Sequence, residues 1–172
     1  GEEAHVLEAI QTQPIIIGHR GAAGLAPENT QAAFAAAVEH GADAVEFDVQ
    51  FTADGWPVVF HDETLERMAG VPARIRDYPE SVLQGFDIGF RHGPEFRGER
   101  IPAVRDVAAL IPPKMELHAE IKDYDPVTEI HLKRLIEAFD KRGALARVIF
   151  SSPHEDTISD ILRIHPGART AL

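Results

Sequence analysis

The chain has 172 residues, enough for one hydrophobic core, and its 44% hydrophobic and 26% charged residues are ordinary for a soluble globular protein. With 17 Lys and Arg against 28 Asp and Glu, the formal charge is −11, which argues against a surface that attracts nucleic acid or anionic membrane throughout. Cysteine is absent, so disulfides and thiolate metal centres are excluded.

No stretch approaches the ~18 apolar residues of a membrane span, and no leader pattern is visible. The chain starts at Gly1 rather than Met. The expected location is therefore cytoplasmic, with a periplasmic or secreted one open if a leader has been removed. Gly1 to Gln13 is polar and reads as a helical or disordered lead-in.

Pro14 to Gly18 is a short β-branched run, predicted as a first strand ending at His19. A Gly- and Pro-bearing loop runs from Arg20 to Asn29. Asn29 or Thr30 is placed to cap a helix through Gln31 to Val38 that stops at Gly41. The second strand is Asp43 to Val49. The turn signal Thr52-Ala53-Asp54-Gly55 sends the chain back through Pro57 to Phe60 and on to His61. From Asp62 to about Arg100 the pattern is irregular and too long for a plain connection, which predicts a functional insertion. A helix is expected over Ile101–Ile111, a third strand over Lys114–Lys122 and a helix over Asp125–Arg142, with Gly143 at its end. A strand at Arg147–Ser151, a helix at His154–Ile164 and a strand beginning near Ala168 complete the chain. This alternation predicts βαβ units and a parallel sheet covered by helices. A doubly wound sheet and a (β/α)8 barrel both satisfy it. A barrel typically takes about 250 residues, so on that reading roughly a third lies beyond the chain.

Along the second strand, period two places Val45, Phe47 and Val49 on one side and Glu46 and Asp48 on the other. Like charges so close are costly unless they are solvated at a sheet edge or compensated by a cation or hydrogen bonds. Glu120 and Lys122 share a face of the third strand in the same way, with His118 two residues earlier. Alone they read as a same-face salt bridge, but beside Glu46 and Asp48 they supply a third carboxylate. Three oxygen ligands with open positions suit Mg²⁺ or Ca²⁺, whereas zinc would be expected to recruit the histidines directly. His19 and His61, each at a strand end, have the pKa range for acid–base work near neutrality. Arg20 offers a planar fork for phosphate. Active residues of parallel α/β folds gather at the carboxyl ends of strands, and together these groups describe a phosphoryl-transfer site.

His19-Arg20-Gly21, Pro27-Glu28-Asn29-Thr30, Glu46-x-Asp48, His61-Asp62 and Glu120-Ile121-Lys122 resemble, in order and spacing, the motifs of the glycerophosphodiester phosphodiesterases. The resemblance implies the N-terminal portion, about strands 1–5, of a TIM (β/α)8 barrel with a small insertion after strand 2. The whole of 1–172 would be one phosphodiesterase domain, cut short on its C-terminal side, with 62–100 as the insertion. It further implies Glu46, Asp48 and Glu120 as ligands of one divalent cation, Mg²⁺ or Ca²⁺, and His19 and His61 as the acid–base pair. Arg20 and Lys122 would hold the substrate phosphate, with Glu28, Asn29 and His118 in support. The implied reaction is metal-dependent hydrolysis of a small-molecule glycerophosphodiester to sn-glycerol 3-phosphate and an alcohol. Two departures stand out: His118 where the family often has Asn, and the stretch Glu63-Thr64-Leu65-Glu66-Arg67-Met68-Ala69-Gly70, which lacks the family's usual Asp-Arg-Thr-Thr. Two other readings stand beside it: a phospholipase D toxin-like lyase that makes cyclic phosphates, and a barrel fragment that binds without turnover.

Overall fold

The computed structural model describes residues 15–172, so the expected lead-in over Gly1–Gln13 lies outside the described residues. Among the described residues six strands form one sheet: β1 (Ile17–His19), β2 (Ala44–Phe51), β3 (Pro57–Val59), β4 (Glu116–Ile121), β5 (Val148–Ser151) and β6 (Arg169–Ala171). Five of them run parallel in the order β1-β2-β4-β5-β6, and β3 pairs antiparallel with β2 off that path. The architecture is α/β, the first five parallel strands of a barrel.

Four longer helices cover one face of this sheet: α1 (Gln31–Glu39), then α4 (Val104–Leu110), α5 (Glu129–Asp140) and α6 (Glu155–Ile164), while two short helices, α2 (Glu66–Ala69) and α3 (Glu80–Leu83), lie between β3 and α4. Thr30, not Asn29, caps α1, its Oγ1 accepting from Ala33 N at 3.2 Å. The helix expected from Ile101 begins at Val104, because Val59 N donates to the carbonyl of Pro102 and Val58 bridges Ala103, which keeps 101–103 extended. The helix expected from Asp125 begins at Glu129. Pro126 disfavours the helical conformation at Asp125, and Thr128 takes the cap position with His131 Nδ1 accepting from its N–H at 3.0 Å.

Apolar residues at helical spacing, such as Leu132, Leu135 and Phe139 on α5, pack onto Val45, Phe47, Leu117, Ala119 and Phe150 of the sheet. Four rings run through this layer: Phe34 meets Phe47 edge-on at 5.9 Å, Phe47 lies 6.3 Å from Phe139, and Phe139 meets Phe150 at 5.8 Å. Phe139 is fully buried at their centre. Phe139→Ala therefore lowers unfolding stability by about 3–5 kcal/mol, the usual result of opening such a cavity, and urea denaturation checks it.

β3 is a shared wall. Val59 faces the main core, while Val58 and Phe60 face a second apolar cluster with Leu65, Met68, Ala73, Ile75, Leu83, Ile88 and Ile101. The irregular segment after His61 thus owns a small core and packs against the rest. Among the described residues, no helix is long and apolar enough to cross a membrane.

Candidate active site

On β2 the residues opposite the helix-packed face are Ala44, Glu46, Asp48 and Gln50. The strand is central, between β1 and β4, which removes the wet-edge explanation for its carboxylates. Parallel register sets Glu46 beside His19 on one side and His118 on the other, and Asp48 beside Glu120. The ladder with β4 ends one residue past Asp48, and the strand continues to Phe51 only by pairing with β3. Asp48 and Glu120 therefore stand at the carboxyl end of the parallel sheet.

One oxygen each from Glu46, Asp48 and Glu120 lie within 4.8 Å of one another. Asp48 is 1% exposed. Burial, and then the charge of Asp48, push the Glu46 carboxyl above its ordinary value. Lys122 Nζ sits 3.3 Å from Glu120 and 3.8 Å from Asp48, and Arg20 Nε sits 3.6 Å from Asp48. Arg20 also pairs with Glu28 at 2.9 Å, so it does not neutralise the cluster outright. The donors are all hard oxygens, and the fully buried Asn29 Oδ1 beside them has no partner among the described residues. Such a set fits a divalent cation that prefers oxygen. His118 is level with Glu46 rather than Glu120 and lies outside the three converging carboxylates.

The first loop takes its shape from backbone conformations that few residues adopt. Arg20, Gly21 and Asn29 all have positive φ, at 52°, 78° and 56°. A Cβ on Gly21 would stand 2.8 Å from Ala33 carbons, so only glycine fits there. Asn tolerates the left-handed region better than most, and its side chain is used: Asn29 Nδ2 donates to Asp48 Oδ2 at 3.0 Å. Arg20 N–H donates to Glu46 Oε2 at 3.2 Å. The loop thus orients two of the three carboxylates.

His19 is exposed, its Nε2 3.5 Å from Glu46 Oε2. His61 has its Nδ1 2.8 Å from Asp62 Oδ1. Gln50 Nε2 donates to the carbonyls of Phe60 and Asp62 at 2.8 and 2.7 Å, and the Tyr124 hydroxyl donates to the His61 carbonyl at 2.9 Å. These clamps hold the His61 segment against the mouth. Arg67 adds contacts to Asp62 and Glu28. Burial alone would raise Glu28, but the hydrogen bond from Arg67 and the charge of Arg20 outweigh it and hold the carboxyl below its usual range. By contrast, His131 is structural: it stacks on Phe51 at 4.6 Å and burial pushes it down to about 4.

Gln50, Arg67 and Tyr124 are site residues outside the five motifs, whereas Asp62 follows His61 in one of them. Two had a signal, since Gln50 extends the 46/48 alternation by one step and Tyr124 extends 120/122. Arg67 stands in the stretch that departs from the family pattern, and its reach to Glu28, 39 residues away, left no local signal.

A model of the glycerophosphoryl diester phosphodiesterase family matches residues 19–171. A glycerophosphodiester phosphodiesterase of Caldanaerobacter subterraneus subsp. tengcongensis is 36% identical over 163 residues, covering 92% of this chain and 65% of the relative. One from Bacillus altitudinis is 33% identical over 163 residues, covering 91% and 65%. Among solved structures, an Oleispira antarctica phosphodiesterase in complex with the product sn-glycerol-3-phosphate superposes with a TM-score of 0.83 at 29% identity, covering 94% of this chain and 66% of that one. A glycerophosphodiester phosphodiesterase from Agrobacterium tumefaciens gives 0.82 at 28% identity, covering 93% and 67%. The chain spans about two thirds of the length of these relatives.

Proposed function

The chain belongs to the glycerophosphoryl diester phosphodiesterase family, and from that premise we propose that it hydrolyses small-molecule glycerophosphodiesters to sn-glycerol 3-phosphate and an alcohol. The observation that carries this reading is the convergence of three carboxylates, the His19 imidazole and two cations at the carboxyl end of one parallel sheet, with the His61 segment tied to that end by Gln50 and Tyr124. The relative from Oleispira antarctica, which holds that product, supports the substrate class. Residues 62–100 are taken as an insertion in a single domain spanning 1–172.

Glu46, Asp48 and Glu120 would hold one Mg²⁺ or Ca²⁺. When bound, such an ion supplies positive charge that offsets the negative charge on the phosphate oxygens. Arg20 and Lys122 stand beside Asp48 and present the cationic groups that would grip the phosphate. Among the described residues the buried Arg20 Nε has no hydrogen-bond partner, a donor left over for such an anion. With Nδ1 engaged by Asp62, His61 would use Nε2 to take or give a proton, and His19 would serve on the other flank. Glu28, Asn29 and His118 would support these groups from the first loop and the barrel interior. Water attacking phosphorus directly, and the glycerol hydroxyl attacking first to give a cyclic phosphate that is then opened, both use this pair.

Product identification tests the reading. With glycerophosphocholine or glycerophosphoethanolamine and Mg²⁺ or Ca²⁺, the expected final product by ³¹P NMR is sn-glycerol 3-phosphate. A cyclic phosphate as the end product would replace this reading with the lyase one.

A further inference from the structure

The helix α2 belongs to the irregular segment beyond β3, yet one of its side chains reaches the site. Arg67 Nε and Nη2 donate side-on to the two oxygens of Asp62 at 2.9 and 3.0 Å, and Nη1 donates to Glu28 Oε1 at 2.7 Å. All three arms of the planar guanidinium are therefore directed. The backbone beneath is anchored. Leu65 and Met68 are buried in the second core, and Arg91 Nη1 donates to the carbonyls of Glu66 and Arg67 at 3.2 and 2.9 Å.

We propose that Arg67 is a positioning residue for the chemical step, fixing the Asp62 carboxylate so that His61 keeps its proton on Nδ1 and presents Nε2 to the reacting phosphate. Asp62 has two oxygens and two partners. Among the described residues Oδ2 receives only Arg67, and Oδ1 receives both Arg67 and His61 Nδ1. Without the side-on fork, the carboxylate is free to turn about its own torsion, and the His61 ring loses the acceptor that selects its tautomer. The hydrogen bonds from Arg67 are also the main reason that Asp62 is held below its usual range, which keeps it a charged acceptor. Glu28 steers the third arm and so sets the plane of the guanidinium. Its other oxygen keeps Arg20 whether or not Arg67 is present, which separates this role from phosphate binding. The proposal rests on the phosphodiesterase reading only for its effect on turnover.

The test combines ¹⁵N-resolved histidine spectra of the full chain with steady-state kinetics, the His61 signals being assigned by their loss in His61→Gln. The native protein is expected to show the Nδ1–H form of neutral His61, and Arg67→Ala a mixture of both tautomers. In Arg67→Ala, kcat is expected to fall by about 10–100-fold, the range for partners that orient a functional histidine, with KM close to native. Arg67→Lys keeps the charge but not the fork, so it is expected to behave like Arg67→Ala. It also carries the test should the alanine variant fold poorly. An unchanged tautomer in both variants overturns the proposal, as does full recovery by lysine or a change in KM alone. If no phosphodiester is turned over, the spectra still decide the Arg67 question, so failure of the activity reading stays distinguishable.

Discussion

Replacing His61 by alanine is expected to lower kcat for glycerophosphodiester hydrolysis by about 10²–10⁴-fold, the usual contribution of a positioned proton donor or acceptor. The fold should survive. The ring is partly exposed and its one side-chain hydrogen bond is to the neighbouring Asp62, so its removal opens no cavity in either apolar core. Asp62 keeps Arg67 as a partner and is not left as an uncompensated charge. His19→Ala should behave the same way, because that imidazole is more exposed still and, among the described residues, pairs with Glu46 alone. A buried histidine gives the contrast. His131 stacks on Phe51 and accepts from the first N–H before α5, so His131→Ala should cost stability with little effect on kcat. Steady-state rates on glycerophosphocholine, read beside urea denaturation of each variant, separate the two kinds of histidine. Losses of only a few fold at both His19 and His61 would assign them structural roles.

Stripping divalent cations with EDTA is expected to abolish release of glycerol 3-phosphate, and Mg²⁺ or Ca²⁺ to restore it. The reason lies in charge balance at the sheet end. Three carboxylates converge where Asp48 is buried, while Arg20 divides its charge between Asp48 and Glu28. A bound divalent ion relieves that repulsion, so it should also stabilise the fold. An ion present at 100 times its Kd adds about 2.7 kcal/mol of unfolding stability, readable as a rise in Tm without any activity assay. Asp48→Asn should lose both effects. Glu46→Gln should lose the ion-dependent rise as well, yet leave the ion-free protein no less stable. Glu46 is pushed above its ordinary pKa by burial and by Asp48. Its ionised form therefore weighs against the folded state near neutral pH, and the weight grows as pH rises through the folded-state pKa. A Tm indifferent to Mg²⁺ and Ca²⁺, together with full activity in EDTA, would remove the cation from the site.

The sequence by itself determined what is periodic and local. Alternation along two strands put Glu46 with Asp48, and Glu120 with Lys122, on common faces, because a strand repeats every two residues whatever surrounds it. The absence of cysteine left oxygen and imidazole as the ligand chemistry, and turn and cap residues marked most of the elements to within a few positions. The five motifs carried the family, and with it the barrel. Only the tertiary structure decided which strands are neighbours and in what register, and hence that Asp48 stands level with Glu120 while His118 stands level with Glu46. It spent Asn29 on Asp48 and left the helix cap to Thr30, two roles that one local pattern allows equally. It also gave the segment after His61 a core of its own and brought Arg67 to Glu28 across 39 residues. The physical reason is the range of the forces concerned: backbone periodicity and capping act within a turn or two of chain, whereas register and ion pairing between distant residues exist only once the apolar faces have packed.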